Sequence, residues 1–162
     1  METINSISKI GVISDTHSTH LPDKVKKIFS GVDLIIHAGD HTSQSIITDL
    51  EKIAPLVSVR GNMDGAELNL EEQTTLMINN KFKIAVCHGA GIHSTTPQRM
   101  YKKFISEIPD VIIFGHTHVP MNKLHAGILL FNPGSPTKGN GVNSVGIINV
   151  TNDSFHTEIV IL

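Results

Sequence analysis

The first half of the chain alternates short apolar runs with amphipathic segments. Apolar runs at residues 10–14, 33–37 and 56–60 predict three buried strands. Between them, residues 21–29 and 43–53 carry apolar side chains at helical spacing and predict two helices. Strands that alternate with helices of this length are typical of a parallel sheet.

The second half is richer in strands. Residues 75–78 and 82–87 flank Asn79-Asn80 and predict a hairpin, whereas the acidic segment 65–73 lacks periodicity and is predicted to be a loop. An amphipathic helix is predicted from Pro97 to the residues before Pro109. Further strands are predicted at residues 111–114, 121–125, 128–131, 145–150 and 155–161. The pattern favours two packed sheets with helices outside them, in a single α/β domain over residues 1–162.

Length and composition agree with a globular domain. The chain has 162 residues, of which 40% are hydrophobic and 17% charged, and a domain of this size buries roughly 70% of its unfolded surface. The net charge of −2 gives no general attraction for nucleic acid or an anionic membrane, so neither is expected as a tight partner. The pair Lys102-Lys103 is predicted to lie on a solvated helix face.

No apolar stretch approaches the ~20 residues that a membrane span needs, and the first residues have no signal-peptide pattern. A cytoplasmic location is therefore expected. Cys87 is the only cysteine, which excludes an intrachain disulfide, and its place in a predicted strand indicates a buried residue. The late apolar strands could leave a sheet edge that pairs with a second copy, so a homo-oligomer is also expected.

Five short clusters of metal-ligand side chains directly follow predicted strands. Ligands gather beyond the carboxyl ends of strands in open α/β sheets, so the five clusters should converge on one place. Each cluster alone is a weak signal, but all five behind apolar runs are a strong one. They are Asp15-Thr16-His17, Gly39-Asp40, Gly61-Asn62, His88-Gly89 and Gly115-His116-Thr117-His118.

The donor types indicate which chemistry this set supports. Mixed nitrogen and oxygen ligands without thiolate favour Mn²⁺, Fe, Zn²⁺, Co²⁺ or Ni²⁺ over a structural zinc. Asp40 is the candidate to bridge two cations, because each carboxylate oxygen can bind one. Two such cations, about 3.5–4 Å apart, clamp a phosphate and lower the pKa of a shared water to ~7. The sequence therefore predicts phosphoester hydrolysis without a side-chain base.

The order Asp-x-His, Gly-Asp, Gly-Asn, His, Gly-His-x-His resembles that of the calcineurin-like metallophosphoesterase superfamily. The short length and the segment 132–135, Asn-Pro-Gly-Ser, resemble its small YfcE-like phosphodiesterases. The resemblance implies a four-layer αββα sandwich with two mixed β-sheets, the metallophosphoesterase fold. It also implies two divalent metal ions, with Mn²⁺ expected and Fe, Zn²⁺, Ni²⁺, Co²⁺ or Mg²⁺ as alternatives. It assigns Asp15, His17 and His118 to one metal and Asn62, His88 and His116 to the other, with Asp40 bridging them.

Within that set, Asp40, Asn62 and His88 are the predicted catalytic residues. Many members of the superfamily have a histidine directly after the asparagine, where it can protonate the leaving oxygen. Here that position is Met63, which cannot donate a proton, and general acid catalysis is typically worth about 10²–10⁴-fold. We therefore expect weak activity on alkyl phosphomonoesters and better activity on diesters with an acidic leaving group.

Four further residues near the clusters have two interpretations each. His20, His41 and His93 could contact phosphate or replace the missing acid, or they could be ordinary histidines. Asp64 could orient the Asn62 loop or simply cap a turn. The structure distinguishes these interpretations below.

The leading hypothesis is a phosphodiesterase that hydrolyses a small phosphodiester by in-line attack of a metal-bound hydroxide. The first alternative is a metal-binding protein-interaction scaffold with little catalysis, as in a retromer subunit of the same fold. That subunit departs from the full ligand set, whereas every ligand position is filled here. The second alternative is a phosphomonoesterase or pyrophosphatase on the same site.

Overall fold

The computed structural model describes residues 1–162 and contains two sheets and three α-helices. The helices are α1 (Asp23–Ile28), α2 (Gln44–Glu51) and α3 (Thr96–Phe104). The strands are β1 (Glu2–Ile4), β2 (Lys9–Ile13), β3 (Leu34–His37), β4 (Leu56–Ser58), β5 (Gln73–Ile78), β6 (Phe82–Cys87), β7 (Val111–Ile113), β8 (Met121–His125), β9 (Ile128–Asn132), β10 (Ser144–Val150) and β11 (Phe155–Ile161).

Both sheets mix parallel and antiparallel strands. The five-stranded sheet has the order β11-β10-β2-β3-β4, in which β2, β3 and β4 are parallel and β10 is antiparallel to both its neighbours. The six-stranded sheet has the order β1-β5-β6-β7-β9-β8, with β6, β7 and β9 parallel. The five ligand clusters follow the carboxyl ends of five of these parallel strands, namely β2, β3, β4, β6 and β7.

The two sheets pack face to face over alternating apolar side chains. Ile10 and Val12 of β2 and Leu34 of β3 meet Ile84 of β6 and Val111 of β7 in one buried cluster. Because strand side chains alternate between faces, the outward residues of each sheet form a separate core with the helices. The resulting order of layers is helix, sheet, sheet, helix, so the predicted four-layer sandwich is confirmed.

Helices cover the outer face of each sheet. On the five-stranded sheet, Val25 of α1 and Ile46 and Leu50 of α2 pack over Ile35. On the six-stranded sheet, α3 packs over Cys87, whose exposed fraction is 7%. The prediction that Cys87 is a buried residue is therefore confirmed. None of the helices combines the length and hydrophobicity needed to cross a lipid bilayer.

The local differences from the sequence expectations have simple causes. The hairpin forms as predicted: Asn79 and Asn80 have φ values of 53° and 55°, the left-handed conformation that a tight hairpin turn requires. Strand β1 was not predicted because it is short and exposed, and it forms by parallel pairing with β5. The predicted loop over 65–73 contains a 3₁₀ turn at Ala66–Leu68, and β5 begins at Gln73.

Four strands lie at sheet edges, namely β1, β4, β8 and β11. The last of these carries several half-buried or exposed residues, including Ile161 at 57% exposed. The expectation that an edge pairs with a second copy stays a prediction.

Candidate metal centre

All seven predicted ligand side chains converge between the two sheets. The loops after β2, β3 and β4 bring Asp15, His17, Asp40 and Asn62 from one sheet. The loops after β6 and β7 bring His88, His116 and His118 from the other. Short contacts link the seven side chains into one continuous cluster. Residues as far apart as Asp15 and His118 meet here because parallel strands end at the same edge of each sheet.

One half of the cluster is built by Asp15, His17 and His118. Asp15 Oδ1 lies 3.2 Å from His118 Nε2 and 3.8 Å from His17 Nε2. The two histidine Nε2 atoms are 3.2 Å apart. These three side chains offer one ligand atom each, all within 4.8 Å of one another. Asp15 is fully buried, whereas both histidines are half-buried and face the mouth of the site.

The other half is built by Asn62, His88 and His116. Asn62 Oδ1 lies 3.1 Å from His88 Nε2 and 3.0 Å from His116 Nδ1. Asp40 Oδ2 lies between the halves, 3.3 Å from His88 Nε2 and 3.5 Å from His17 Nε2. His88 Nε2 is also 3.8 Å from Asp15 Oδ1. A second group of potential ligands is therefore Asp15, Asp40 and His88.

Backbone carbonyls fix which nitrogen of each histidine faces the cluster. His88 Nδ1 donates to the carbonyl of Ala38 at 2.7 Å and His118 Nδ1 donates to that of Lys138 at 2.9 Å. His116 is reversed, because its Nε2 donates to the carbonyl of Gly91 at 2.9 Å. The unprotonated nitrogen of each neutral ring therefore faces inward, as is typical of histidine ligands whose other nitrogen is hydrogen-bonded.

This arrangement suits cations better than a hydrogen-bonded cluster. Asp15 Oδ2 accepts hydrogen bonds from the Ser14 hydroxyl and the His116 amide, but Oδ1 is the one buried side-chain polar atom without a partner. An unpaired buried carboxylate oxygen is costly, and here it faces inward-directed imidazole nitrogens. Lone pairs that converge on a common space fit bound divalent cations.

The pKa directions agree with a site that attracts positive charge. Burial lowers the pKa of His88, but its hydrogen bond to Asp40 and the charges of Asp15 and Asp40 outweigh burial and raise that pKa. The Asp15 carboxylate, 3.2 Å from His118 Nε2, raises the pKa of His118 despite burial. Burial lowers the pKa of His17, although Asp40 and Asp15 oppose that effect. Protons on His88 and His118 thus compete with metal ions, so metal affinity falls as the pH falls.

The loops reach the centre through strained or glycine-dependent backbone. Asp15, Asp40 and His118 have positive φ values of 54°, 59° and 57°, which is uncommon for residues other than glycine and clusters at functional sites. Gly115 has room for no side chain, because an added Cβ would collide with the Ser14 hydroxyl and the Asp15 carboxylate. The close approach of the two loops therefore requires glycine at this position.

Gly115→Ala is expected to displace the Asp15 carboxylate and to weaken Mn²⁺ binding by about 10–100-fold, the usual cost of disturbing the support of a metal ligand. Calorimetric titration of metal-stripped protein measures this change. Gly127→Ala is the control, since a Cβ there meets no atom within 4 Å; its φ of 84° strains alanine only locally, in the turn that precedes β9. An unchanged Mn²⁺ affinity in Gly115→Ala would contradict the role given to this contact.

Asp64 is the main residue whose role the sequence left open. Its side chain is fully buried, and its oxygens accept hydrogen bonds from the amides of Asp40, Gly61 and Thr42 at 2.9, 2.8 and 2.8 Å. His41 Nδ1 donates to it at 3.0 Å. Burial raises the pKa of Asp64, but the hydrogen bonds from His41, Thr42 and Gly61 outweigh burial and hold that pKa far below its ordinary value. Asp64 therefore joins the Asp40 loop to the Asn62 loop.

The three histidines whose roles the sequence left open, His20, His41 and His93, differ in burial and in the residues they contact. His41 is fully buried against Asp64 and Ser58, which fits its interpretation as an ordinary structural histidine and not as a phosphate contact or proton donor. His20 is exposed and pairs with Thr19. His93 is exposed and packs edge-on against His116, with ring centroids 4.9 Å apart. Of the three, His93 is the one whose ring contacts a metal-ligand candidate.

The segment 132–135 supports the centre from the opposite side. Asn132 Nδ2 donates to the carbonyl of Gly115 at 2.9 Å and to the Thr117 hydroxyl at 3.1 Å. Ser135 Oγ donates to the carbonyl of Asp15 at 2.7 Å. These bonds hold the first and last ligand loops together, so the segment packs beside the site as the resemblance implies.

Comparison with known proteins agrees with this geometry. Residues 9–153 match the model of the calcineurin-like phosphoesterase superfamily domain. This chain belongs to that superfamily. A probable metallophosphoesterase of Methanocaldococcus jannaschii is 45% identical over 133 residues, which cover 79% of this chain and 68% of the relative. A protein of the same organism named phosphodiesterase is 32% identical, covering 94% of this chain and 99% of the relative.

One solved structure with the same fold has a name that refers to no enzymatic activity. Vps29 of Chaetomium thermophilum superposes with a TM-score of 0.78 at 20% identity, covering 96% of this chain and 95% of that one. At this identity the likeness describes the fold alone. The superfamily therefore indicates a phosphoesterase, and the reaction itself has to be argued from the site.

Proposed function

We propose that this protein is a phosphodiesterase that depends on two divalent metal ions, with Mn²⁺ as the expected metal. The observation that carries the proposal is one continuous cluster of seven nitrogen and oxygen ligand side chains, in which three histidine nitrogens lie within 3.8 Å of the unpaired Oδ1 of Asp15. The relative named phosphodiesterase, which this chain matches over nearly its full length, supports the choice of diesters.

The residues divide into two ligand sets. Asp15, His17 and His118 would hold one ion, and Asn62, His88 and His116 would hold the other. Asp40 would bridge them, since its Oδ2 lies 3.5 Å from a histidine nitrogen of the first set and 3.3 Å from one of the second. When bound, such a pair of ions polarises the phosphoryl group and activates a water.

The chain's own residues bind and orient the substrate. An open cavity of about 380 Å³ leads to the centre and is lined by His17, Thr42, His118 and Lys138. The exposed Lys138 ammonium at this mouth attracts the negative phosphodiester. Asn62 is exposed at the opposite half, where its amide can contact a phosphoryl oxygen. The fully buried Asp15 and nearly buried Asp40 form the floor of the site.

Metal-stripped protein given Mn²⁺ should hydrolyse bis(p-nitrophenyl) phosphate faster than p-nitrophenyl phosphate. Both substrates release the same p-nitrophenolate, so leaving-group acidity is matched, and the expected preference rests on the single negative charge of the diester and on the relative named phosphodiesterase. The ratio of the two kcat/KM values measures the preference, and parallel assays with Ni²⁺, Zn²⁺ and Mg²⁺ identify the best metal. A clear preference for the monoester would instead support the phosphomonoesterase alternative.

Rates should depend steeply on the pKa of the leaving group, because Met63 gives the departing oxygen no proton. The Met63 side chain is 60% exposed, and its amide donates to Asp40 Oδ1 at 2.7 Å. Met63→His therefore retains the backbone contact and supplies an acid, which is typically worth about 10²–10⁴-fold on poor leaving groups. A series of aryl and alkyl diesters measures the slope in both proteins. If the rates of both proteins were independent of leaving-group pKa, the claim that Met63 leaves the departing oxygen without a proton donor would be refuted.

The scaffold alternative is favoured by the likeness to Vps29. A scaffold would bind metal without turnover, and its function would survive changes to Asp40. Metal-dependent turnover in the add-back assay distinguishes an enzyme from a scaffold.

A further inference from the structure

A second cavity adjoins the metal centre beside Asn62 and His88. It encloses about 250 Å³ and lies between the Asn62 loop, the end of β6 and helix α3. Asn62 and His88 line this cavity and also belong to the ligand cluster. A phosphodiester held at the centre could therefore place one ester arm in it. The proposed mechanism makes no use of this cavity.

The rim of the cavity carries an excess of positive charge. Besides His88, its ionisable lining residues are Arg60, Lys103 and Glu72. Arg60 Nη2 lies 2.7 Å from Glu72 Oε1, so Glu72 holds one part of the guanidinium. A guanidinium has five N–H donors, and a single contact leaves the others free for a second anion. Even with Glu72 ionised, these three side chains contribute one net positive charge.

Glu72 competes only weakly with an incoming anion for the Arg60 guanidinium. Its side chain is 75% exposed, whereas that of Arg60 is 39% exposed. Ion pairs this open to solvent contribute little to stability. An incoming carboxylate or phosphate can therefore share Arg60 with Glu72 or replace it. Lys103 is exposed on α3, as predicted from the sequence, and its side chain also lines the cavity beside the metal centre.

The floor of the cavity has a different character. Cys87 and Met100 line it and are 7% and 5% exposed. These side chains offer an apolar surface below the charged rim. The cavity thus fits an arm with a short apolar spacer that ends in an anionic group.

We propose that this cavity is a substrate subsite for a second anionic group, a carboxylate or a phosphate, carried on one ester arm. The preferred substrates are then phosphodiesters with an additional negative charge near the scissile phosphate. This inference rests on the proposed phosphodiesterase function and narrows its substrate class. Arg60 and Lys103 are the specificity-determining residues.

Matched phosphonates test the subsite without turnover. Calorimetry on Mn²⁺-loaded protein compares 4-carboxybutylphosphonate with pentylphosphonate, and 2-carboxyethylphosphonate with propylphosphonate. At one spacer length or the other, the carboxylated phosphonate should bind at least about tenfold more tightly than its plain partner, because its carboxylate forms charge-assisted hydrogen bonds. The improvement should disappear in the double variant R60Q/K103Q. It should persist in Lys102→Gln, a change to an exposed neighbour on α3 that does not line the cavity.

The outcomes distinguish this inference from the function on which it rests. Equal affinity of the carboxylated and plain phosphonates at both lengths, with bis(p-nitrophenyl) phosphate still hydrolysed, would overturn the subsite alone. A carboxylate advantage that survives in R60Q/K103Q would also overturn it. Failure of the plain phosphonates to bind, together with absent diester hydrolysis, would refute the phosphodiesterase proposal and the subsite with it.

Discussion

Asp40→Asn should reduce Mn²⁺-dependent diester hydrolysis by at least about 10³-fold, since losing several kcal/mol of transition-state stabilisation costs tenfold for each ~1.4 kcal/mol. Asparagine keeps the shape of the side chain and can still accept the Met63 amide on Oδ1. However, its NH₂ group would replace the Oδ2 that lies between His17 and His88. A neutral amide cannot bridge two cations with two oxygens. Steady-state kcat/KM for bis(p-nitrophenyl) phosphate measures the loss.

Two measurements keep this result separate from unfolding. The metal-free Asp40→Asn protein should still unfold in one cooperative transition, at a modestly lower temperature than wild type. Burial raises the pKa of Asp40, but the contacts with His88, Met63 and His17 outweigh burial, lower that pKa and stabilise the ionised form. Asp49→Asn makes the same chemical change on the surface, where Asp49 pairs with Lys52, and should leave activity unchanged. Full turnover by Asp40→Asn would be incompatible with a bridging role for Asp40.

Asp64→Asn should destabilise the fold by about 3–5 kcal/mol, the usual cost of removing one partner of a buried charged network. The substitution turns an acceptor for three backbone amides and His41 into a mixed donor and acceptor. The Asp40 and Asn62 loops then lose their common anchor. We expect Mn²⁺ affinity to fall about 10–100-fold as well. Urea unfolding and calorimetry measure the two effects.

Asp33→Asn is the matched control for this change. Asp33 Oδ2 also accepts three hydrogen bonds, from the Ser8 amide and hydroxyl and from the Lys9 amide, but it lies away from the metal centre. Its loss should weaken stability less and leave Mn²⁺ affinity intact. A normal Mn²⁺ affinity in Asp64→Asn would show that Asp64 merely caps a turn.

The stability contribution of Asp64 also has a defined pH dependence. Its pKa is lower in the folded state than the ordinary value of about 4, so ionised Asp64 stabilises the protein above that ordinary value. The contribution is lost as the pH falls toward the folded pKa. The difference in unfolding free energy between wild type and Asp64→Asn should therefore be constant above about pH 5 and shrink in stronger acid.

The sequence predicted the two packed sheets and the convergence of the candidate ligands because both depend on local patterns. Apolar runs placed the central strands, and the strand ends placed Asp15, Asp40 and His88 at one edge. By contrast, β1 could not be predicted, since three residues, two of them exposed, show no periodicity and form a strand only by pairing with β5.

The support of the centre was harder to predict, because it consists largely of backbone groups. The carbonyls of Ala38, Gly91 and Lys138 select the inward-facing nitrogens of three histidines, and any residue has a carbonyl. Asp64 and His41 presented a similar difficulty. The sequence left Asp64 open between orienting the Asn62 loop and capping a turn, and left His41 open between contacting phosphate and being an ordinary histidine. Burial and pairing with each other give both side chains a structural role.

The most direct test of the central claim is a titration of metal-stripped protein with Mn²⁺, in which bound metal and bis(p-nitrophenyl) phosphate turnover are measured on the same samples. The account predicts two Mn²⁺ bound per chain and activity that reaches its maximum only when both are present. Turnover by metal-free protein would contradict the account. Two bound metals without turnover would contradict the enzymatic role and favour the scaffold.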